Sequence, residues 1–497
     1  MARLFSLLLR HALFYSFVFL TTTVLGAEPF VWIGAVTSSS FTIHIDVPKV
    51  NASQILLSTS TQFSNPLSQQ PANSSESLIQ QSTTASNLRR YTFQRLQPLT
   101  KYHIAIRSSS STRPIASVRT FPLLNSTQDI TFSFASCQLL ASQDGSFEDI
   151  YNRFKRVDSS SSSPTFFMMH MGDLHYGDIR RNDISLYRNM IRNVITRPTV
   201  KRVMSSMPMP YMYDDHDYGK NNAGFSSTSR QAALQAYRRF VPTYNLPSEN
   251  ASYHAFSVGR VRFIITDLRA FARKEDNSTL SSEQRDWLFS ELSAASNYSV
   301  VVWMSSKPWI GRAEEGGDSW SGFAAERQLI ADQLVSLKVT NLVMISGDAH
   351  MLAADSGMHS DYSRTGGGGF PVFQAAPLSH FGTSKGGPYS EGCHAFRFFP
   401  NKQYGILKLS KLGQEGGPCV RFDGYRRGES ESRIVFEKCG RLSGVEGSAG
   451  NESSCSLSLF PAWVAALIGL GTLLVVVTSA VTVVLIIRRR RRKRAEV

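Results

Sequence analysis

The stretch M-G-D-L-H-Y-G-D (171–178) directly follows the apolar run F-F-M-M (166–169). A strand that ends in this way delivers the Asp173 carboxylate, and three residues later the Tyr176 phenol, to its carboxyl end. Both groups are suited to holding a hard metal ion, which suggests metal-assisted hydrolysis. Gly-Asp after a strand is also a common turn, so the motif gains its meaning from similar segments elsewhere in the chain.

Five further apolar runs lead into polar residues: 131–135 before Ser136-Cys137-Gln138, 210–213 before Asp214–Asp217, 261–266 before Asp267-Leu268-Arg269, 300–304 before Ser305–Pro308, and 342–345 before Ser346–His350. Helical periodicity lies between them at 230–240, 282–295 and 324–337. Ligands bind beyond the carboxyl ends of strands in α/β sheets. We therefore predict an α/β fold, a sandwich of two sheets flanked by helices, in which these polar residues converge.

The preceding segment, residues 28–127, has only β character. Short runs at 30–33, 41–45, 91–93 and 102–106 alternate with period two, and Ser/Thr-rich turns separate them. This pattern predicts a β-sandwich. The run L-Q-P-L-T-K-Y (96–102) resembles the tyrosine corner of fibronectin type III domains, where the tyrosine hydroxyl ties down the entry to a strand. We interpret the segment as an accessory domain without catalysis.

The two ends indicate a single-pass membrane protein. Residues 1–27 carry Arg3 and Arg10, an apolar stretch and a small-residue cleavage pattern, as a secretory signal does. Residues 462–487 form 26 positions without a charge, and seven basic residues follow at 488–494. A helix of that length crosses a bilayer, and the basic block places the carboxyl terminus in the cytoplasm. We expect a linker at 441–459, a transmembrane helix at 460–487 and a cytoplasmic tail at 488–497.

Charge and cysteine content agree with a lumenal or extracellular domain, at the cell surface or in a vacuole-like compartment. Without the two ends, 44 basic residues face 37 acidic ones, too modest and scattered an excess to predict nucleic-acid binding. Seven Asn-x-Ser/Thr sequons support this topology: Asn51, Asn73, Asn125, Asn250, Asn277, Asn297 and Asn451. Of the five cysteines we expect Cys419 to bridge Cys439 across a hairpin, and Cys393 with Cys455 as a second pair. Cys137 is the cysteine that has no expected disulfide partner.

The ordered motifs resemble those of the PhoD-like alkaline phosphatases, which belong to the calcineurin-like metallophosphoesterases. The motifs are F-A-S-C-Q (134–138), G-D-L-H-Y-G-D (172–178), D-D-H-D-Y-G-K-N-N-A-G (214–224), D-L-R (267–269), S-S-E-Q-R-D-W-L (281–288), G-D-S-W-S-G-F-A-A-E-R (317–327) and S-G-D-A-H (346–350). The resemblance covers about residues 130–410. We therefore expect a metallophosphatase domain at 128–440 that includes the terminal hairpin.

The resemblance implies a metal centre with Fe³⁺ and Ca²⁺, although other divalent metals fit the same residues. Cys137, Asp173 and Tyr176 would hold the iron, with Asp173 bridging to a second metal. Asp215, Asp348 and His350 complete the predicted ligands, and His350 could instead support a ligand. Cys137 as a small buried residue and Tyr176 as a core side chain are the plainer interpretations.

The same resemblance suggests how substrate is handled. His216 would bind the phosphate or protonate the leaving oxygen, although the acidic residues around it could instead be a helix cap. Arg269 would contact phosphate or, equally well, pair with a site carboxylate. His175 and Asn221 are predicted substrate-binding residues. Asn222 occupies a position where many PhoD-like alkaline phosphatases have Asp.

These observations predict a phosphoesterase that attacks a phosphate ester with a metal-activated water. The partners implied are the ester substrate and the membrane, with no nucleic acid. The oligomeric state is left open. Two alternatives remain: a phosphodiesterase or phospholipase-type activity, and an inactive surface-recognition protein that keeps the phosphatase shell.

Overall fold

A computed structural model describes residues 30–46, 54–64, 66–69, 79–85, 88–108, 111–139, 145–158, 165–396, 400–444 and 456–458. The predicted signal, transmembrane helix and basic tail lie outside these ranges, as does most of the linker. The sequons Asn51, Asn73 and Asn451 also lie outside. Among the helices of the described ranges, none combines the length and apolar character needed to cross a bilayer.

The amino-terminal part forms two four-stranded antiparallel sheets. One has the order β1-β2-β6-β5 and the other β4-β3-β7-β8. The strands are β1 Phe30–Gly34, β2 Phe41–Asp46, β3 Gln54–Ser58, β4 Ser68–Gln69, β5 Ile79–Ala85, β6 Leu88–Phe93, β7 Lys101–Arg107 and β8 Thr112–Arg119. The predicted sandwich is therefore present, whereas its assignment to the fibronectin type III class stays a prediction.

The tyrosine corner takes the form expected from the sequence. The Tyr102 hydroxyl accepts a hydrogen bond from the Gln97 backbone N–H over 2.9 Å. The sandwich also packs against the following domain, since Trp32 Nε1 donates to the Met209 carbonyl at 3.1 Å and Tyr244 donates to the Val36 carbonyl at 2.7 Å. Buried indole and phenol groups satisfy their polar atoms in this way.

The second part is built on two larger sheets. The six-stranded sheet has the order β11-β10-β9-β21-β22-β23, and the eight-stranded sheet β12-β13-β14-β15-β17-β16-β19-β24. The strands are β9 Ile130–Ala135, β10 Thr165–Met171, β11 Tyr211–Met212, β12 His254–Val258, β13 Val261–Ile265, β14 Val300–Ser305, β15 Leu342–Ser346, β16 Leu352–Asp355, β17 Val372–Ala375, β18 His380–Phe381, β19 Cys393–Phe396, β20 Pro400–Asn401, β21 Gln403–Ser410, β22 Cys419–Arg426, β23 Ile434–Cys439 and β24 Ser456–Ser458. The short β18 and β20 pair with each other.

Seven α-helices are described. They are α1 Gly145–Asp158, α2 Ile184–Ile195, α3 Pro198–Met204, α4 Asp215–Tyr218, α5 Arg230–Phe240, α6 Ser282–Ser293 and α7 Ala324–Ser336. The prediction of α5 is confirmed, and those of α6 and α7 are confirmed to within two residues at the carboxyl end. Ser281 caps α6 as expected, because its side chain accepts the Gln284 N–H.

Alternating burial explains how the two sheets meet. Val300, Val302 and Met304 of β14 face the core between the sheets, whereas Val301 and Trp303 face α6 and α7 on the outside. On the other sheet the outer face of β10 packs against α1 and α2. The predicted two-sheet sandwich flanked by helices is thus observed.

The Cys419–Cys439 disulfide joins β22 to β23, as predicted. Cys393 is also disulfide-bonded, and Cys455, its expected partner, lies outside the described residues. Cys137 is a free, buried cysteine.

Candidate metal centre

Parallel strands bring the predicted ligands to one edge of the molecule. Within the six-stranded sheet β9, β10 and β11 run parallel, and within the eight-stranded sheet β13, β14 and β15 do so. Their carboxyl ends therefore meet at the same edge. Cys137 follows β9, Asp173 follows β10, and Asp348 follows β15. All three have left-handed backbones, with φ of 63°, 55° and 60°, a conformation that non-glycine residues keep where the surroundings enforce it.

Gly172 allows two of these loops to approach each other. Its φ is +96°, and a Cβ at this position would lie 2.4 Å from Asp214 Cβ. Any side chain would push the loop after β10 away from the segment after β11. The glycine of the quoted motif therefore sets the distance between Asp173 and the acidic residues at 214–217.

Asp173, Asp215 and His216 form a cluster that could hold a cation. One ligand atom from each lies within 4.8 Å of the others. Cys137 Sγ lies 3.6 Å from Asp173 Oδ2 and 3.0 Å from the Ser136 hydroxyl. The predicted thiol and carboxylate ligands are thus adjacent in space.

The carboxylates of this cluster carry negative charge that the protein alone does not balance. Four buried oxygens lack a hydrogen-bond partner: Asp173 Oδ1, Asp214 Oδ2, Asp215 Oδ1 and Asp348 Oδ2. Of these, Asp215 Oδ1 lies 3.4 Å from the Arg269 guanidinium without hydrogen-bond geometry. Burial, and then repulsion from Asp215 and other acids, raises the pKa of Asp173 well above its usual range. A bound cation offsets both the cost of burying these carboxylates and their mutual repulsion. The residues therefore fit the metal ions that the sequence implies.

Aromatic rings cover one side of the cluster. The Tyr176 ring centroid lies 4.5 Å from that of His216 and 5.4 Å from that of His380. Tyr176 Oη lies 3.3 Å from His350 Nε2, and His350 Nδ1 lies 2.8 Å from the Phe381 carbonyl. That carbonyl can only accept, so Nδ1 carries the proton and Nε2 offers its lone pair toward Tyr176.

His216 is oriented by a carboxylate. Its Nδ1 lies 2.7 Å from Asp178 Oδ1. Burial alone would lower the pKa of His216, but the charge of Asp215 and the hydrogen bond to Asp178 outweigh it and raise that pKa. The ring is only partly buried. A partly accessible imidazole with a raised pKa beside the acidic cluster is suited to donating a proton.

Arg269 is placed as a structural partner. Its side chain is fully buried, and it pairs with Asp214, with Asp215 at 3.4 Å and with Asp318 at 2.8 Å. The structure shows the second interpretation, pairing with site carboxylates, whereas a contact with phosphate stays a prediction. Burial would lower the pKa of Arg269, but the Asp214 and Asp318 carboxylates raise it, so the guanidinium stays charged.

Of the two predicted substrate-binding residues, His175 is buried and Asn221 is exposed. His175 is buried, its Nδ1 accepts the Gly177 N–H at 3.0 Å, and its ring packs edge-on against Tyr187. In this position His175 stabilises the loop after β10 and is not accessible to a ligand. Asn221 is exposed, but the neighbouring Asn222 lines the cleft, and its N–H donates to Asp215 Oδ2 at 2.6 Å.

An open cleft of about 880 Å³ leads to the acidic residues. Its walls include Asn222, Arg312, Asp318, Asp348 and Lys385. The Lys385 ammonium donates to Asp348 Oδ1 at 2.6 Å, and this carboxylate raises the pKa of Lys385 although burial opposes the shift. A cation at the mouth of an acidic site is suited to attracting an anionic ester.

Sequence reasoning missed four contributors: Asp178, Asp318, His380 and Lys385. Asp178 and Asp318 lie inside the motifs 172–178 and 317–327, but nothing in those motifs indicates a role for either residue. Lys385 precedes the Gly386-Gly387 pair, which marks a loop that can approach a cleft. His380 carried no sequence signal, since it follows no strand of the predicted pattern.

Comparison with known proteins agrees with this geometry. The sequence model of a family described as PhoD-like phosphatase matches residues 132–403. Alkaline phosphatase D of Bacillus subtilis (strain 168) is 24% identical over 330 residues, which cover 54% of this chain and 54% of that protein. The chain thus spans about half the length of this curated relative.

Two solved structures share the fold. The structure of PhoD superposes with a TM-score of 0.59 at 15% identity, covering 88% of this chain and 96% of that chain. Purple acid phosphatase PPD1 from yellow lupin (Lupinus luteus) seeds superposes with a TM-score of 0.55 at 12% identity, covering 87% of this chain and 77% of that chain. The likeness extends beyond the catalytic sheets, since most of this chain is covered in both cases.

Proposed function

This chain belongs to the PhoD-like phosphatase family, and we propose that it is a metal-dependent phosphoric ester hydrolase. One observation carries the proposal. The buried carboxylates of Asp173, Asp215 and Asp348 each leave an oxygen without a hydrogen bond, and the first two lie beside the Asp178-supported imidazole of His216. An inactive recognition protein has no need to maintain such a costly arrangement of desolvated charge.

The residues that would hold metal are Cys137, Asp173, Tyr176, Asp215, Asp348 and His350, with Fe³⁺ and Ca²⁺ as the proposed ions. When bound, metal ions polarise a phosphate and generate a water nucleophile at neutral pH. Oxygen ligands outnumber nitrogen and sulfur ligands in this set, which favours iron or calcium over zinc.

The other side chains would bind and orient the ester. Lys385 and Asn222 line the cleft wall, where an ammonium and an amide can bind phosphate oxygens. His216 would give its proton to the departing alkoxide, and Asp178 would hold the ring in the required orientation. Arg269 acts indirectly, because its pairs with Asp214 and Asp215 fix the segment that carries His216.

We further propose that the catalytic domain is lumenal or extracellular and anchored by one helix. The support comes from the sequence: the uncharged run at 462–487, the basic block behind it and the secretory pattern at 1–27. The Cys419–Cys439 disulfide agrees with an oxidising compartment.

The test is hydrolysis by the purified full-length chain after removal and return of metal. We expect p-nitrophenyl phosphate hydrolysis to vanish on chelation and to return with Fe³⁺ and Ca²⁺. A preference for bis-p-nitrophenyl phosphate would favour the phosphodiesterase alternative. If neither ester is hydrolysed although metal binds stoichiometrically, the inactive recognition protein is the better interpretation.

A further inference from the structure

The position of the last described strand shows where the chain leaves the domain. Ser456–Ser458 (β24) pairs with β19 at the edge of the eight-stranded sheet. The pairing is parallel. β19 runs antiparallel to β16, β16 antiparallel to β17, and β17 parallel to β15. β24 therefore points in the same direction as β15, and its last residue lies at the edge that carries the metal-centre residues.

The register sets the height of this exit point. Ser346 of β15 is level with Gln374, Ala353 and Cys393 across the sheet. His394, the next residue of β19, pairs with Ser456. Ser456 is thus level with Gly347, and Ser458 stands two residues further toward the cleft. Four strand spacings of about 4.8 Å separate β15 from β24, so Ser458 lies roughly 20 Å to the side of Asp348.

The chain then has little length before the uncharged run. Three residues, Leu459 to Pro461, separate Ser458 from Ala462. Fully extended, three residues reach at most about 10 Å. If residues 462–487 cross the bilayer as proposed above, the catalytic edge is held next to the membrane surface and the opposite edge points away from it.

The rim on this side carries an exposed aromatic ring and two cationic side chains, together with the acidic residues Glu314 and Asp318. Phe381 is 48% exposed, although its carbonyl supports His350. Arg312 and Lys385 line the cleft itself, where Lys385 pairs with Asp348. Exposed aromatic rings and cations are the groups that proteins place at membrane interfaces.

We propose that the cleft faces the bilayer from which the chain emerges and that its substrate is a phosphate ester in that surface, a phospholipid headgroup. This inference rests on the proposed hydrolase function and on the proposed anchor. A soluble ester reaches the cleft from any direction, whereas a headgroup reaches it only at this orientation.

The first experiment measures geometry and needs no activity. Full-length Phe381→Cys and Thr340→Cys variants are labelled with a donor dye and reconstituted into vesicles that contain an acceptor-labelled lipid. Thr340 is the matched control because it is exposed at the opposite end of β15. We expect energy transfer from position 381 to be at least twofold more efficient. Equal or reversed efficiencies overturn the orientation, whatever the enzyme hydrolyses.

The second experiment measures substrate. Six EAAAK repeats inserted between Leu459 and Phe460 add up to about 45 Å of semi-rigid spacer, and a Gly-Ser insert of equal length is the flexible control. Vesicles of phosphatidylcholine with phosphatidic acid provide the headgroups. The rigid insert should cut headgroup hydrolysis at least tenfold and leave p-nitrophenyl phosphate hydrolysis within twofold, whereas the flexible insert should leave both largely intact. Unchanged headgroup hydrolysis with the rigid insert refutes the inference, and failure to hydrolyse any ester refutes the proposed function instead.

Discussion

The His216 imidazole is held by Asp178, whose Oδ1 lies 2.7 Å from Nδ1. The two residues come from different segments, Asp178 from the loop after β10 and His216 from α4. This contact fixes which ring nitrogen is available to the substrate.

Asp178→Asn keeps the shape of the side chain but removes its charge. We expect kcat to fall by about 10- to 100-fold, because the His216 proton is held less well, while KM changes little. The control is Asp286→Asn on the exposed face of α6, which should leave kcat unchanged. An Asp178→Asn enzyme with wild-type kcat would remove His216 from the proposed role.

Asp173→Asn should have opposite effects on stability and on function. Because burial and neighbouring acids raise the pKa of Asp173, its ionised form destabilises the folded protein at neutral pH when no cation is bound. Thermal unfolding in chelator should therefore occur at a higher temperature in the variant, while metal content and hydrolysis are lost. A lower unfolding temperature in chelator would contradict the charge balance described for this cluster.

Much of this site could be predicted because the pattern is local. Cys137, Asp173, Asp215 and Asp348 each follow an apolar strand, and parallel strands bring such residues together without further information. The hairpin that joins Cys419 to Cys439 was predictable for the same reason. The amino-terminal sandwich followed from period-two alternation and the Tyr102 corner.

The remainder depends on contacts between distant segments. Nothing near Arg269 in the sequence shows that Asp318 will meet it in a buried pair, so the choice between pairing and phosphate contact was open. His175 and His216 lie in similar acidic motifs, yet His175 is buried and His216 is partly exposed. Lys385 reaches Asp348 from a glycine-rich loop whose path is set by packing. The helices α1 to α3 were also not predicted, although α1 carries apolar side chains at helical spacing, such as Phe147, Ile150 and Phe154.

Tyr176→Phe tests the proposed iron. A phenolate bound to Fe³⁺ gives a charge-transfer band in the visible range, and Phe removes the oxygen while its ring still packs between His216 and His380. We expect the purified chain to be coloured and the variant to be bleached or shifted, with little unfolding. Cys137→Ser should reduce iron content and activity together, because an alcohol is a poorer anionic ligand. A colourless, iron-free and active enzyme that tolerates Cys137→Ser would make Cys137 a packing residue only.

The topology can be tested independently of chemistry. A tag fused after Val497 should be protected from protease added outside intact cells or sealed vesicles, because the basic block at 488–494 favours the cytoplasmic side. The catalytic domain should be accessible wherever it faces the protease. Cleavage of both the tag and the catalytic domain from the same side would contradict the proposed topology.

His44 makes the contact between the sandwich and the catalytic domain sensitive to acid. The ring is fully buried, and its Nδ1 lies 3.0 Å from the Phe240 carbonyl at the end of α5. Burial lowers the pKa of His44 from 6.5 to about 3. Because the pKa of His44 is lower in the folded protein than in the unfolded chain, the unfolded chain takes up the proton at a higher pH. The contribution of His44 to stability is therefore complete above pH 6.5 and is lost as the pH falls toward 3. At pH 5 the loss from this group is roughly 2 kcal/mol.

His44→Asn retains a side-chain N–H for the Phe240 carbonyl but does not titrate. We expect the variant to be less stable than the wild type at pH 8, where the smaller side chain leaves a cavity, and to lose less stability between pH 8 and pH 5. Thermal unfolding of the wild type and the variant at pH 8 and pH 5 gives the change in unfolding temperature of each protein between the two pH values. The difference between the two proteins at pH 8 measures the effect of the substitution on packing alone. The same fall in unfolding temperature for both proteins would show that the acid sensitivity arises elsewhere, for example at His170 or His254, whose pKa values burial also lowers to about 4.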